Sequence, residues 1–198
     1  TGEKKRIVRI QLSVLPWYWV CQTAEEASER TSFKYRKYTE HNLEITPGPT
    51  ADQDLIEERI KSIIRKIPRY HDKFKECGFD QYNANGLSNR LAKPGEDWSG
   101  ITMTKVKQGV LQLNEPTKFI QTATLRGELK HSNNLVLDWN VQNAQVVFDR
   151  HRNMMLSKLH STGKIDGLAA IVTGTRCVLD AGTPEPDPSD YFKNGWKM

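Results

Sequence analysis

The stretch that decides the fold is GKIDGLAA, residues 163–170, in which one acid stands between a glycine turn and an apolar run. The apolar spacing over residues 165–179 predicts a helix that starts close to Asp166. The ordinary structural explanation of this acid is stabilisation by the helix dipole. That explanation accounts neither for the glycine at position 163, which allows a close approach of the backbone, nor for the neighbouring Lys164. We therefore favour a second one, in which Asp166 binds a divalent metal where the helix begins.

A second acid, Asp80, ends the short run CGFD, residues 77–80. Its position just past an apolar pair predicts the tip of a buried strand, although aspartate is also common there as a turn residue. Together with Asp166 it indicates a carboxylate site, because hard cations such as Mg²⁺ prefer oxygen ligands. Two such ions activate water and stabilise the leaving oxygen in phosphodiester cleavage. That mechanism generally uses more acids than these two candidates.

Composition limits the possible functions. The chain has 198 residues, 37% hydrophobic and 27% charged, which is ordinary for one globular domain with a core. No apolar run is long enough to span a bilayer, so no membrane partner is expected, and the absence of a signal segment favours an intracellular protein. Three scattered cysteines disfavour a disulfide framework or a zinc knuckle. No GxxxxGK[ST], HExxH or GxSxG pattern supports a P-loop, zinc-protease or serine-hydrolase function.

Basic side chains give a weaker signal. The formal net charge is +5, which is compatible with a polyanionic partner. A dense basic group includes Lys61, Arg65 and Lys66 near the end of a predicted helix. A solvated helix face is the ordinary explanation, and contact with a phosphate backbone is the functional alternative. His131 would contact a phosphate or a metal, but a lone histidine is more often structural.

The predicted elements alternate between extended and helical segments. Pro16 is expected to interrupt a first extended segment, and Thr50 and Gln53 have capping-box spacing ahead of a strong helix. An asparagine cap and an early proline predict another helix start at residues 114–116. The remaining segments are a polar helix over 24–38, strands over 73–80, 101–107 and 146–148, helices over 83–91 and 134–144, and an irregular arm over 181–198. This order predicts an α/β fold whose ligands lie at strand carboxyl ends, where Asp80 falls.

Several motifs, in this order, resemble those of tailed-phage terminase large subunits. The family patterns are L-x-x-T-P-G, Y-D-x-x-x-A, a Gln-Gly pair, H-x-x-N-x-x-x-x-W-x-x-x-N, and a lysine followed by K-I-D-x-x-x-A. The matching segments of this chain are LEITPG at 43–48, FDQYNA at 79–84, QG at 108–109, LKHSNNLVLDWNVQN at 129–143, and Lys158 with GKIDGLAA at 163–170. The order and rough spacing agree over nearly the whole chain.

The resemblance implies the C-terminal nuclease domain of a packaging motor, with an RNase H-like mixed sheet flanked by helices. That family cuts concatemeric viral DNA with two ions, Mg²⁺ or Mn²⁺, and Asp80 and Asp166 match the second and last acids of its cluster. His131 and Lys164 would assist near the phosphate. The implied partners are double-stranded DNA, the terminase ATPase domain, the small subunit and the portal, in the cytoplasm of an infected or lysogenic bacterial host.

The same resemblance implies an opening strand with a first catalytic aspartate, ahead of the strand that residues 7–14 resemble. We therefore expect residues 1–180 to form a nuclease-like domain without that strand, followed by an arm over 181–198. One alternative is a catalytically incomplete DNA-binding or assembly module on the same fold. Another RNase H-like enzyme, such as a resolvase or an integrase, ranks lower because it does not explain the segment 131–143 or the Thr-Pro-Gly turn.

Overall fold

The N-terminal part of the fold is built from two short strands separated by a proline. The computed structural model describes residues 11–66, 76–82 and 84–181. Strand β1 (Leu12–Val14) ends before Pro16 and β2 (Tyr18–Cys21) begins after it, as the proline predicted. The single polar helix expected over 24–38 is divided into α1 (Gln22–Ser28) and a 3₁₀ helix (Tyr35–His41). Residues 7–10 of the predicted extended segment lie outside the described residues.

The middle of the chain supplies the strand that carries Asp80. After β3 (Leu43–Thr46), helix α2 (Gln53–Lys66) begins later than predicted. The Asp52 carboxylate accepts the N–H groups of Asp54 and Leu55 at 2.9 and 3.1 Å, so Asp52 is the cap and the assignment to Thr50 was wrong. The next elements are β4 (Glu76–Asp80), α3 (Asn85–Ala92) and β5 (Thr102–Val106).

The C-terminal part contains the three helices that surround the acids. Helix α4 (Val110–Leu125) begins after Gly109, so the predicted start at residues 114–116 was wrong. Pro116 lies inside this helix and is buried, and the apolar contacts of the surrounding turns outweigh the hydrogen bond that proline cannot make. The elements that follow are β6 (Leu129–His131), α5 (Leu135–Asn143), β7 (Val146–Phe148), β8 (Met154–Leu156) and α6 (Asp166–Asp180).

Strand pairing is mostly parallel. Among the described residues, the pairs β1–β6, β2–β3 and β4–β5 are parallel and β7–β8 is antiparallel. Each ladder contains two strands, and helices α4 and α6 pack against each other beside them. The α/β class with mixed strand directions is therefore confirmed. Within the described part of the chain, none of the helices combines the length and the apolar character that a bilayer crossing needs.

Helix α6 lies directly on β4, and this contact sets the geometry of the site. A Cβ on Gly78 would come within 2.7 Å of the Cys177 sulfur and 3.0 Å of the Thr173 carbonyl oxygen. The strand therefore approaches the helix at van der Waals distance. The buried cluster behind this contact contains Val106, Leu113, Ile120, Val172 and Cys177. Two smaller buried clusters centre on Leu43 and on Trp98.

Candidate metal centre

Asp80 stands at the carboxyl end of β4, as predicted. In the parallel ladder it lies opposite Val106, the last residue of β5. One carboxylate oxygen accepts the N–H of Tyr82 at 3.1 Å, which is the turn-forming contact expected of aspartate at such a position. This bond occupies a single lone pair, so the carboxylate keeps acceptor capacity for a cation.

A cavity of about 310 Å³ opens beside Asp80. Its polar rim includes Gln108 from the turn after β5 and Lys158 from the segment after β8. Its wall includes Ile165 and Ala169, at the start of α6. Asp166 is three residues before Ala169, about 4.5 Å of helix rise. The first turn of α6 and the end of β4 therefore meet at one cavity.

Asp166 connects to this cavity through Lys158. It is the first residue of α6, where the sequence placed it. The Lys158 ammonium donates to a carboxylate oxygen of Asp166 at 2.8 Å, with side-chain exposures of 67% and 59%. An ion pair this exposed contributes only about 0–1 kcal/mol, so a divalent cation or a phosphate can readily replace either partner.

Two asparagines of α5 bind the backbone on either side of Asp166. The Asn140 side-chain oxygen accepts the Gly167 N–H at 2.7 Å, and the Asn143 amide donates to the Lys164 carbonyl at 3.1 Å. The segment that carries the acid is thus fixed to a neighbouring helix rather than held only by its own turn.

Aromatic side chains approach the same segment from β2 and the 3₁₀ helix. Burial, and after it the charge of Asp166, raises the pKa of Tyr35. Burial and the Asp138 carboxylate raise the pKa of Tyr18 to about 12. Both phenols therefore stay protonated at neutral pH. A second cavity of about 500 Å³ contains Tyr35, Trp139 and Lys164 in its lining, so Lys164 lies on the aromatic side of the Asp166 segment.

His131 lies in a different cavity from Asp80. It lines an apolar groove of about 500 Å³ between α4, α5 and α6, and its ring nitrogen is 3.7 Å from a carboxylate oxygen of Asp138. Its other ring nitrogen is buried without a hydrogen-bond partner among the described residues. The described contacts do not bring His131 to the cavity of Asp80, and its role near a phosphate stays a prediction.

The predicted DNA-backbone residues on α2 have intramolecular partners of their own. Lys61 is ion-paired with Glu57 at 2.6 Å and lies over the Trp98 ring. Arg65 donates to the Asp97 carbonyl at 2.8 Å, while Lys66 is exposed at the end of the helix. Lys66 is the member of this group best placed for a phosphate, and the DNA-binding role of all three stays a prediction.

The donor set around Asp80 and Asp166 suits a hard cation. The candidate ligands are two carboxylates with the Gln108 side-chain amide nearby, and Mg²⁺ is typically bound by one or two carboxylates together with water and substrate phosphate. Over the described ranges, no three His, Cys, Asp or Glu side chains come together to form a larger ligand group. Asp80 and Asp166 are therefore the candidate carboxylate ligands, and their binding of a metal stays a prediction.

Sequence reasoning gave no role to Lys158, although this residue binds Asp166 and lines the cavity of Asp80. It is eight residues from Asp166 and separated from it by an irregular segment, so no helical or strand periodicity pairs them. The lysine of the terminase-like motif was the available signal. Asn140 and Asn143 lie in the stretch 129–143 that resembles the family, and their binding to the Asp166 segment was visible only in the fold.

Comparisons with known proteins agree with this architecture. A family model described as "Terminase large subunit, endonuclease domain" matches residues 17–180. The large terminase subunit of Enterobacteria phage HK97 is 26% identical over 181 residues, which cover 90% of this chain and 34% of that protein. Protein YmfN of Escherichia coli (strain K12) is 26% identical over 168 residues, covering 81% of this chain and 35% of its own length.

The structural comparison gives the same fold. The crystal structure of the HK97 bacteriophage large terminase superposes with a TM-score of 0.66 and 22% identity, over 80% of this chain and 32% of the other. The architecture is therefore that of the RNase H-like nuclease domain of a terminase, as predicted. The chain belongs to the family of terminase large subunit endonuclease domains. It spans about a third of the length of the curated relatives it matches.

Proposed function

We propose that this chain hydrolyses phosphodiester bonds of double-stranded DNA, with Asp80 and Asp166 binding Mg²⁺ or Mn²⁺. The observation that supports this most directly is the shared cavity: Asp80 and Lys158 line it together, and Lys158 is ion-paired with Asp166. Lys158 therefore links the cavity of Asp80 to Asp166. A basic group beside two candidate metal ligands supports the binding of a polyanion such as DNA.

When bound, the cation would polarise the phosphodiester and lower the pKa of an attacking water. The side chains of the chain itself position the substrate. Lys158, whose bond to Asp166 is exposed and weak, would transfer to a phosphate oxygen of the DNA when Asp166 binds the cation. Lys164, exposed two residues before Asp166, would contact the adjoining backbone phosphate. In a two-metal mechanism, Asp80 and Asp166 would also be the candidate ligands of a second ion, which would stabilise the leaving oxygen.

The biological substrate and partners follow from family membership. We propose that the DNA is concatemeric viral DNA and that cutting accompanies packaging. The activity would then be coupled to a terminase ATPase domain, a small subunit and a portal, in the cytoplasm of the bacterial host. The net charge of +5 favours association with DNA independently of its sequence.

A supercoiled-plasmid assay with Mn²⁺ tests the proposal. Asp166→Ala and Asp80→Asn should each reduce nicking and linearisation by at least about 100-fold, because each removes a ligand of the same ion. Asp97→Asn is the matched control, since Asp97 is an exposed aspartate in the loop before β5 and should leave cutting unchanged. Equal residual cutting by the wild type and both site variants would identify a contaminating nuclease and refute the proposal.

The second candidate function is DNA binding or assembly without cleavage. It is favoured by the pairing of Asp166 with Lys158 and by the absence of a third acidic or histidine ligand over the described ranges. In that case the wild type and Asp166→Ala would retard a DNA duplex equally in a gel, and neither would cut it. Cutting that Asp166→Ala abolishes, with retained binding, would exclude this function.

A further inference from the structure

The backbone around Asp166 is bound by side chains that have no other evident task. Asn140 is only 2% exposed, and its amide connects two backbone groups. Its oxygen accepts the Gly167 N–H at 2.7 Å, while its nitrogen donates to the Val136 carbonyl at 2.9 Å. The first turn of α6 is therefore fixed to α5 by a buried side chain whose amide oxygen and nitrogen are both hydrogen-bonded.

Asn143, one helical turn further along α5, binds the other side of the acid. Its amide donates to the Lys164 carbonyl at 3.1 Å, and its oxygen accepts from the Thr162 hydroxyl at 3.3 Å. A Cβ on Gly163 would come within 2.7 Å of its side-chain nitrogen. Glycine is therefore needed at 163 so that the loop can lie against this asparagine.

Tyr18 completes the support from β2. A Cβ on Gly167 would overlap the Tyr18 hydroxyl and lie 2.8 Å from Cε1 and 3.0 Å from Cζ of its ring. The hydroxyl is buried and has no hydrogen-bond partner among the described residues, so packing rather than bonding places the ring. Both glycines of the GKIDG stretch thus lie against fixed side chains.

We propose that Tyr18, Asn140 and Asn143 are positioning residues, which hold the Asp166 carboxylate where it binds the divalent cation. This inference rests on the proposed function. A carboxylate that is 59% exposed would otherwise sample many positions, and a cation site needs its ligands placed to within a few tenths of an ångström. The close contact between Tyr18 and Gly167 fixes the turn from which Asp166 projects.

The test is Mn²⁺ affinity, measured by electron paramagnetic resonance on the whole chain. Gly167→Ala would push the first turn of α6 away from Tyr18 and weaken Mn²⁺ binding by roughly 10- to 100-fold. In the double variant with Tyr18→Leu, the new methyl group takes the space left by the hydroxyl oxygen and the two ring carbons, so it packs against the turn in place of the ring and should restore most of the affinity. Gly174→Ala in the same helix is the matched control, because a Cβ there meets nothing within 4 Å.

Stability separates positioning from a purely structural role. Tyr18→Leu removes packing from the cluster of Phe33, Leu43 and Val136. The double variant should therefore have a lower melting temperature than Gly167→Ala, although it should bind Mn²⁺ more tightly. Asp166→Ala should lose Mn²⁺ binding, which shows that the metal site itself exists. If it does, unchanged Mn²⁺ affinity in Gly167→Ala, or no recovery of affinity in the double variant, would overturn the positioning role and leave the proposed function standing. A wild-type chain that binds no Mn²⁺ would overturn the proposed function together with it.

Discussion

At the scale of single residues, Lys158 has the most consequential position. Its ammonium neutralises Asp166 at 2.8 Å while its side chain lines the cavity of Asp80. A cation and this lysine therefore compete for the same carboxylate oxygen. Since both partners are exposed, the ion pair is weak enough to be exchanged during substrate binding. Under the proposed function, the lysine would neutralise Asp166 in the absence of DNA and contact a phosphate in its presence.

Lys158→Ala should therefore separate metal binding from cutting. Loss of the competing ammonium should leave Mn²⁺ affinity unchanged or raise it by up to about fivefold, the equivalent of about 1 kcal/mol. Plasmid cutting at saturating Mn²⁺ should nevertheless fall, because a phosphate contact is lost. Titration of Mn²⁺ by electron paramagnetic resonance, alongside the plasmid assay, measures both effects. Weaker Mn²⁺ binding in Lys158→Ala would show that the lysine supports the metal site instead of competing with it.

At the scale of elements, the contact between β4 and α6 places the end of the strand that carries Asp80 and the start of the helix that carries Asp166 at one cavity. The glycine at position 78 allows the strand to touch the helix at Cys177 and Thr173. Burial, followed by the charge of Glu76, raises the pKa of the Cys177 thiol to about 11, so the sulfur is neutral and acts as a packing atom. Any change in this spacing moves Asp80 relative to Asp166.

Gly78→Ala should consequently affect both stability and metal binding. The added methyl group overlaps the Cys177 sulfur and the Thr173 carbonyl, and overpacking of this kind costs about 1–3 kcal/mol. We expect a lower melting temperature together with weaker Mn²⁺ binding. Gly174→Ala should instead stabilise the chain by about 0.5–1 kcal/mol, because alanine is the better helix residue and the site is open. Equal melting temperatures for these two variants would contradict the described packing.

An ion pair between the buried Glu25 and the exposed Arg36 joins α1 to the 3₁₀ helix and predicts a pH dependence. Glu25 is 1% exposed, and Arg36 donates two hydrogen bonds to it, each 2.9 Å long. The bonds from Arg36 lower the pKa of Glu25, so the folded state favours the ionised carboxylate. The resulting stabilisation is complete above the pKa of an unfolded glutamate, about 4.3, and is lost as the pH falls through the lower folded value.

Glu25→Gln should therefore melt at a lower temperature than the wild type at pH 7. The difference between the two melting temperatures should narrow below about pH 4.3, because the wild-type carboxylate becomes protonated there. Thermal unfolding of both chains, followed by circular dichroism across this range, gives the comparison. A gap that stays constant with pH would show that the charge of Glu25 contributes nothing to the difference.

At the scale of the whole molecule, sequence patterns predicted the order of elements better than their starting points. The helix at Asp166 and the strand ending at Asp80 were predicted, because apolar periodicity and a terminal acid both mark them. Helix α4 was predicted to start too late, because Pro116 resembles a helix start and only its burial shows that the helix continues through it. Helix α2 was predicted to start too early in the sequence, because Thr50 and Asp52 are both residue types that suit the N-cap position, and Asp52 is the one that caps the helix.

The candidate site was predicted only as far as its two acids. The approach of the two segments that carry them depends on the packing of α6 on β4, and the support of the Asp166 segment depends on residues from β2 and α5. Such contacts join segments more than 20 residues apart, and no local pattern encodes them. The family resemblance supplied the order of the motifs, including Lys158 and Gln108, and the fold showed where these two side chains and the asparagines lie.

The central claim is that Asp80 and Asp166 bind one cation jointly. The most direct test is to titrate Mn²⁺ into four proteins: the wild type, Asp80→Asn, Asp166→Asn and the double variant. If the two aspartates share an ion, each single variant should weaken binding at least about tenfold, roughly 1.4 kcal/mol, and the double variant should lose less than the sum of the two. Losses that simply add, or a wild-type affinity that survives in either single variant, would show that the two carboxylates do not form one site.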